Sequence, residues 1–152
     1  MKYYYLRIET NPKKMIIILR NVLAVIVGIL VGSVVNMALI NLSSSIIPPP
    51  LGVDVTTEEG LKAGIQLFEP KHFIMPFLAH ALGTLVGALL TVLIASNNKM
   101  RLALTISMVF FIGGAMMVYS VPGPIWFAVV DLVFAYIPMG LLAAKIATKK
   151  EV

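Results

Sequence analysis

Residues 69–95 read EPKHFIMPFLAHALGTLVGALLTVLIA, and this stretch decides the fold. No formal charge occurs in 73–95, and the run is almost wholly apolar. At about 1.5 Å rise per residue, such a helix crosses roughly 30 Å of hydrocarbon. Pro70 falls in the first turn, where a missing N–H costs little. Steps of three and four pick out one stripe: Glu69, His72, Pro76, His80, Thr84, Gly87 and Thr91. That stripe is polar or small throughout, while the other faces carry Phe, Leu, Ile and Val. A helix divided this way turns its polar side to protein or water and its greasy side to lipid.

Outward from this stretch the chain keeps the same character. Its 152 residues are 59% hydrophobic and 12% charged, where a soluble domain carries roughly 25% charged residues. The chain therefore reads as one integral membrane domain, 1–152, with the lipid bilayer as its first partner. The net charge of +5 sits on residues that flank the apolar runs. Orientation signals are distributed that way, which argues against nucleic acid as a partner. The chain has no cysteine, so disulfides, thiol redox chemistry and Cys-ligated zinc or iron–sulfur clusters are excluded.

The pattern predicts an all-α bundle of four transmembrane helices at about 22–42, 73–95, 102–121 and 125–142, with an outer loop over 43–72. The N-terminal stretch is basic, with three tyrosines and a MIII run; Met1 and Met15 both stand as start sites. Its apolar run continues to Leu42, which predicts a retained helix rather than a cleaved signal. In the loop, Pro48, Pro49 and Pro50 make a stiff extended piece. TTEEGLKAGIQLF then reads as a short amphipathic helix on the membrane surface, with Thr56 and Glu59 at capping-box spacing. SNNKMR and VPGP form the two short turns.

Ten of the twelve Lys and Arg residues lie in the N-terminal stretch, the second connection and the tail. Both termini are therefore expected in the cytoplasm, with the Pro-rich loop outside and Trp126 and Tyr119 at the outer interface. Spans one and two share a pattern, GILVGSVVN from Gly28 and GTLVGALLT from Gly83. An inverted repeat is one reading. Close packing of two helices through Gly28, Gly32, Gly83 and Gly87 is the simpler one. Gly113 and Gly114 are expected to serve the third span in the same way.

The buried polar residues converge. Asn36, His80 and Asp131 each lie on a different span, roughly 5–6 Å outward of its middle. Each also sits on a small-residue face, with Gly32, with Thr84, and with Ala128 and Ala135 respectively. An aspartate at that depth costs about 2.5–3.5 kcal/mol on insertion scales and faces a bundle interior or water. One reading is a satisfied cluster that locks helix packing. A second is a protonatable Asp131–His80 site coupled to a solute. A third takes His80 and Asp131 as weak candidate metal ligands with Glu69 and His72. That last pair stands about 12 Å away along the helix, too far for one ion. Glu69 and His72 instead form an outer mouth, read as an interfacial N-cap and a wet imidazole. Tyr136 reads as a packing aromatic and the nine methionines as adaptable filling.

The run SSSIIPPPLGVDVTTEEGLKAGIQLFEPKHFIMPFLAHALGTLVGA resembles an uncharacterised family of small four-span bacterial membrane proteins. In that family a Pro-rich GVDVT loop leads into an EPKHF-x-x-PF-x-AH-x-LGTL-x-GA helix, and the later YIPMG is similar too. The resemblance covers the middle third of the chain well and the rest loosely. It implies a bacterial inner-membrane location and carries no activity or site residue. Small multidrug transporters place their acidic residue in the first span, whereas Asp131 lies in the fourth. Quinone-linked thiol oxidases need cysteines.

No nucleophile motif, phosphate loop or dinucleotide fingerprint is present. No enzymatic activity and no cofactor are expected. The first expectation is a non-enzymatic accessory or structural subunit of a homo-oligomer or larger membrane complex. The alternative is a proton-coupled small-solute or ion transporter or channel, working as a homo-oligomer through Asp131 and His80.

Overall fold

The computed structural model describes residues 11–148. The tyrosines at 3–5, Lys2, Arg7, Lys149 and Lys150 lie outside the described residues. Among the described residues the chain is helical, with no strand. Four helical spans are long and apolar enough to cross a membrane. The first is helix α1 (Pro12–Ile46). A short helix α2 (Glu58–Gly64) follows in the long loop, and α3 (Ile74–Ile94) is the second span. Helix α4 (Lys99–Ser120) is the third; α5 (Ile125–Phe134) and α6 (Ile137–Thr148) together make the fourth.

Helix α1 is longer than the 22–42 span. The Asn11 side chain accepts from the Lys13 N–H at 3.0 Å and Pro12 takes the first turn, so the helix starts ten residues earlier. It runs on through the serines at 43–45 because nothing there breaks it. It stops at Ile47, which is extended before Pro48. In the loop, Thr57 rather than Thr56 caps α2, accepting from the Gly60 N–H at 3.1 Å. Thr56 is held by Asp54 instead. The Asp54 carboxylate accepts from the Thr56 N–H at 2.8 Å and from the Thr56 and Thr57 hydroxyls at 2.6 and 3.1 Å.

Helix α3 is the hub, packing against α1, α4, α5 and α6. Its entry is a tight turn, Pro70–Phe73. Pro76 lacks the N–H that would bond the His72 carbonyl, so the regular helix settles only after that turn. Along the α1–α3 seam, Gly32 faces Gly83 and Gly28 faces Gly87. A Cβ at Gly32 would sit 2.7 Å from the Gly83 oxygen, and one at Gly87 would sit 2.6 Å from the Gly28 oxygen. Only glycine admits backbones this close. Thr91 adds a hydroxyl shared between the Ala24 and Gly87 carbonyls, at 3.2 and 2.9 Å.

Gly114 lies directly under the Tyr136 ring. Gly113 does not share that role: it is exposed, with no atom within 4 Å of where a Cβ would stand. Adjacent helical positions are 100° apart, so only one of the pair can face the bundle. Gly140, in α6, makes the close contact with Ser107 and the Ala103 carbonyl. Alanines dominate the inner core, where Ala88, Val92, Ala103, Ile106, Ala143 and Ala144 are essentially inaccessible.

Each end of the bundle has its own closure. At the end nearest the termini, Arg20 Nε donates to the Ile94 carbonyl at 2.6 Å, favourable for a cation at a helix C-terminus. Asn21 accepts from the Ser96 N–H at 2.9 Å and donates to Asn97 at 2.7 Å, fixing a turn in which Asn98 is left-handed (φ 52°). At the loop end, Ile65, Phe73 and Val121 form an apolar cap with Phe68 and Phe127. Trp126 meets Phe73 edge-on at 5.4 Å, while Tyr119 is 89% exposed.

Candidate functional site

The fourth span breaks in its middle, and the break builds the polar cluster. Pro138 has no N–H for the Phe134 carbonyl, so α5 ends and the next helical bond runs from the Gly140 N–H to the Tyr136 carbonyl at 3.1 Å. Tyr136 sits at the break. Its side chain is buried, under the Gly114 notch, and its hydroxyl donates to Asp131 Oδ2 at 3.0 Å.

Asp131 is 1% exposed. The His80 Nδ1–H lies 2.9 Å from both carboxylate oxygens, so it donates to the pair symmetrically. The imidazole also stacks on the Tyr136 ring at 5.8 Å, with 29° between planes. The Thr84 hydroxyl donates back to the His80 carbonyl at 2.8 Å, which satisfies it inside the bundle. The sequence therefore found two members of a three-member cluster. Tyr136, read there as packing only, is the missing hydrogen-bond donor. Its signal was legible in one respect: a buried tyrosine needs a partner for its hydroxyl, and Pro138 two residues on announces the break.

With Nδ1 committed to the carboxylate, Nε2 is the ring nitrogen left to other partners. Nε2 makes no hydrogen bond among the described residues, and the His80 side chain is 17% exposed. A carboxylate behind Nδ1 fixes the ring orientation and the tautomer. Neutral His80 thus offers an oriented acceptor; protonated, it offers a donor.

Asn36 is not joined to this pair. It is half-buried, and its side chain makes no hydrogen bond among the described residues. Its Cβ rests against Gly83, where an added Cβ would come within 3.0 Å. One turn beyond the Gly32–Gly83 contact, Asn36 comes level with Ala79 and His80. His80 lies about 3 Å from the middle of its span and Asp131 about 8 Å from the middle of its own, rather than at one depth. The side chains close that difference.

Glu69 and His72 stand apart at the loop end. Glu69 is the residue at the N-cap position of the entry turn, and its carboxylate pairs with Lys71 at 3.0 Å. His72 is not wet. It is 6% exposed, its ring lies 5.2 Å from that of Phe68 at a 46° tilt, and its Nδ1 accepts the Glu69 N–H at 2.9 Å. Among the described residues, no three His, Cys, Asp or Glu side chains gather as a metal site would need. Compared with known protein families, curated proteins and solved structures, the chain matches none.

Proposed function

We propose that this chain is a non-enzymatic subunit of a bacterial inner-membrane assembly, with both termini cytoplasmic and the Pro-rich loop outside. The carrying observation is that the buried carboxylate is fully engaged within the bundle. Asp131 receives His80 on both oxygens and Tyr136 on one, tying α3 to both halves of the broken fourth span. Such a cluster, together with the close glycine contacts, specifies one packing of the apolar helices. The positive-inside pattern supports the orientation. The sequence resemblance described above supports the bacterial setting.

The test is the native mass of the particle after gentle extraction from its own membrane, with its components identified. Other proteins travelling in fixed ratio support the subunit reading; a bare monomer overturns it.

A second reading rests on the His80 Nε2 atom, which the bundle leaves without a partner among the described residues. A protonatable imidazole backed by a carboxylate suits a proton-coupled carrier or channel. Four helices leave little room for a pore, so this reading requires a homo-oligomer. Reconstituted protein should then show a pH-dependent flux that Asp131→Asn abolishes, and unchanged flux in that variant would end it.

A further inference from the structure

The two ends of the bundle differ in charge. At the loop end, Asp54, Glu58, Glu59 and Glu69 outnumber Lys62 and Lys71. Both lysines are paired there, Lys62 with Glu58 at 2.7 Å and Lys71 with Glu69 at 3.0 Å. The opposite end holds Lys13, Lys14, Arg20, Lys99, Arg101 and Lys145, with no carboxylate among the described residues. Several contacts place these residues at one end. Arg20 bonds the Ile94 carbonyl where α3 stops, and Lys99 opens α4 just after the turn. Ala144, beside Lys145, lies in one core cluster with Ala103, two residues from Arg101. Lys13 and Lys14 extend from the same end, in the first turn of α1. The sequence beyond, 1–10 and 149–152, adds Lys2, Arg7, Lys149 and Lys150 against Glu9 and Glu151.

Charge alone suits any polyanion, and the neighbouring side chains narrow the choice. The cations alternate with large exposed apolar residues. Met15 and Ile16 follow Lys14, Leu19 precedes Arg20, Met100 stands between Lys99 and Arg101, and Ile146 follows Lys145. A nucleic acid answers the cations and leaves those side chains against water. An anionic amphiphile answers both, with its phosphate on the cations and its chains along the apolar residues. All four candidate spans have an end here, so bilayer lipid surrounds this surface.

We propose that this end of the bundle is a binding surface for anionic phospholipid, gathering headgroups of the phosphatidylglycerol kind over zwitterionic ones. Lys13, Lys14 and Arg101 meet the phosphodiester. Arg20 stays on the Ile94 carbonyl and adds its charge to the local field. The proposal needs only that the bundle crosses a bilayer, whether or not the chain works inside a larger complex.

The test uses the full chain in nanodiscs of equal parts phosphatidylglycerol and phosphatidylcholine with matched acyl chains. The readout is the ratio of the two lipids that stay with the protein in native mass spectrometry. The expected preference for phosphatidylglycerol is about fivefold, the scale of one cation at an anionic surface. It should shrink as ammonium acetate rises from about 0.05 to 0.5 M. Lys13→Gln, Lys14→Gln and Arg101→Gln together should bring the ratio close to one. Lys62→Gln and Lys71→Gln together should leave it unchanged. All five side chains are exposed, so both variants keep the fold. Equal retention of the two lipids overturns the proposal, as does a preference that persists in the triple variant or vanishes equally in the loop-end pair. A short DNA duplex that displaces phosphatidylglycerol from the particle assigns the surface to nucleic acid, and that also overturns it.

Discussion

The Tyr136 hydroxyl reaches Asp131 Oδ2 at 3.0 Å from five residues further along the chain. On an unbroken α-helix, positions five apart point about 140° away from each other. The bond exists because α5 ends at Phe134 and α6 begins at Ile137. One backbone break thus turns a ring from the far side of the helix onto the carboxylate, where it meets His80.

The cluster should behave as a coupled unit. Tyr136→Phe removes one neutral donor and should destabilise the bundle by about 1 kcal/mol, since His80 still holds both oxygens. Asp131→Leu strands the His80 N–H and the Tyr136 hydroxyl together and should cost about 3–5 kcal/mol. Thermal unfolding of the single and double variants in nanodiscs measures the coupling. Additive losses would mean that Tyr136 and Asp131 do not interact.

Pro138→Ala restores the N–H that the Phe134 carbonyl lacks. The fourth span should then become more regular, carrying Tyr136 away from Asp131. The expected signature is loss of the Tyr136–Asp131 coupling, with only a small change in helix content. Coupling retained in the Pro138→Ala background would show that packing against Gly114, not the proline, positions the ring.

The glycines divide into those that touch and one that does not. Gly32→Val drives a side chain into the Gly83 carbonyl and the Phe110 ring and should cost about 1–3 kcal/mol. Gly113→Ala meets open space and should be neutral or stabilise by up to about 1 kcal/mol, because alanine favours helix. Comparing the melting temperatures of the two variants decides the matter. A harmful Gly113→Ala would mean that this face meets another protein.

The long loop should loosen in acid. Asp54 is held below its ordinary carboxylate value, first by the Thr56 hydroxyl, then by the Thr56 N–H and the Thr57 hydroxyl. A lowered folded value stabilises the loop at pH above the unfolded value, and that contribution is lost as pH falls through the folded one, below about 4. Protection of the Thr56 amide, measured against its intrinsic exchange rate at each pH, should therefore fall in that range. In Asp54→Asn that protection should no longer change with pH. An acid-insensitive Thr56 amide in the native chain would contradict the arrangement.

Local chemistry made much of this protein legible in advance. Long uncharged runs have one economical structure in a bilayer, since a helix satisfies its own backbone. The positions of four spans follow from that, as does the hub role of the stretch carrying His80. Spacing by three and four put Gly28 and Gly32 on one face and Gly83 and Gly87 on another. The ends were harder. Sequence polarity suggested that α1 stops at Leu42, but the serines at 43–45 are tolerated until Pro48 forbids helix.

Tertiary structure alone decided which polar groups meet. Sequence periodicity ranks residues by face and depth along one helix, and it placed Asn36, His80 and Asp131 near one level. It carries no information on how two helices are rotated against each other. That rotation is set by contacts between distant residues, such as Gly32 on Gly83 and Gly114 under Tyr136. It left Asn36 outside the cluster, brought Tyr136 in, and turned Gly113 outward. Residues 51 positions apart, His80 and Asp131, became a hydrogen-bonded pair only when small side chains let their helices close.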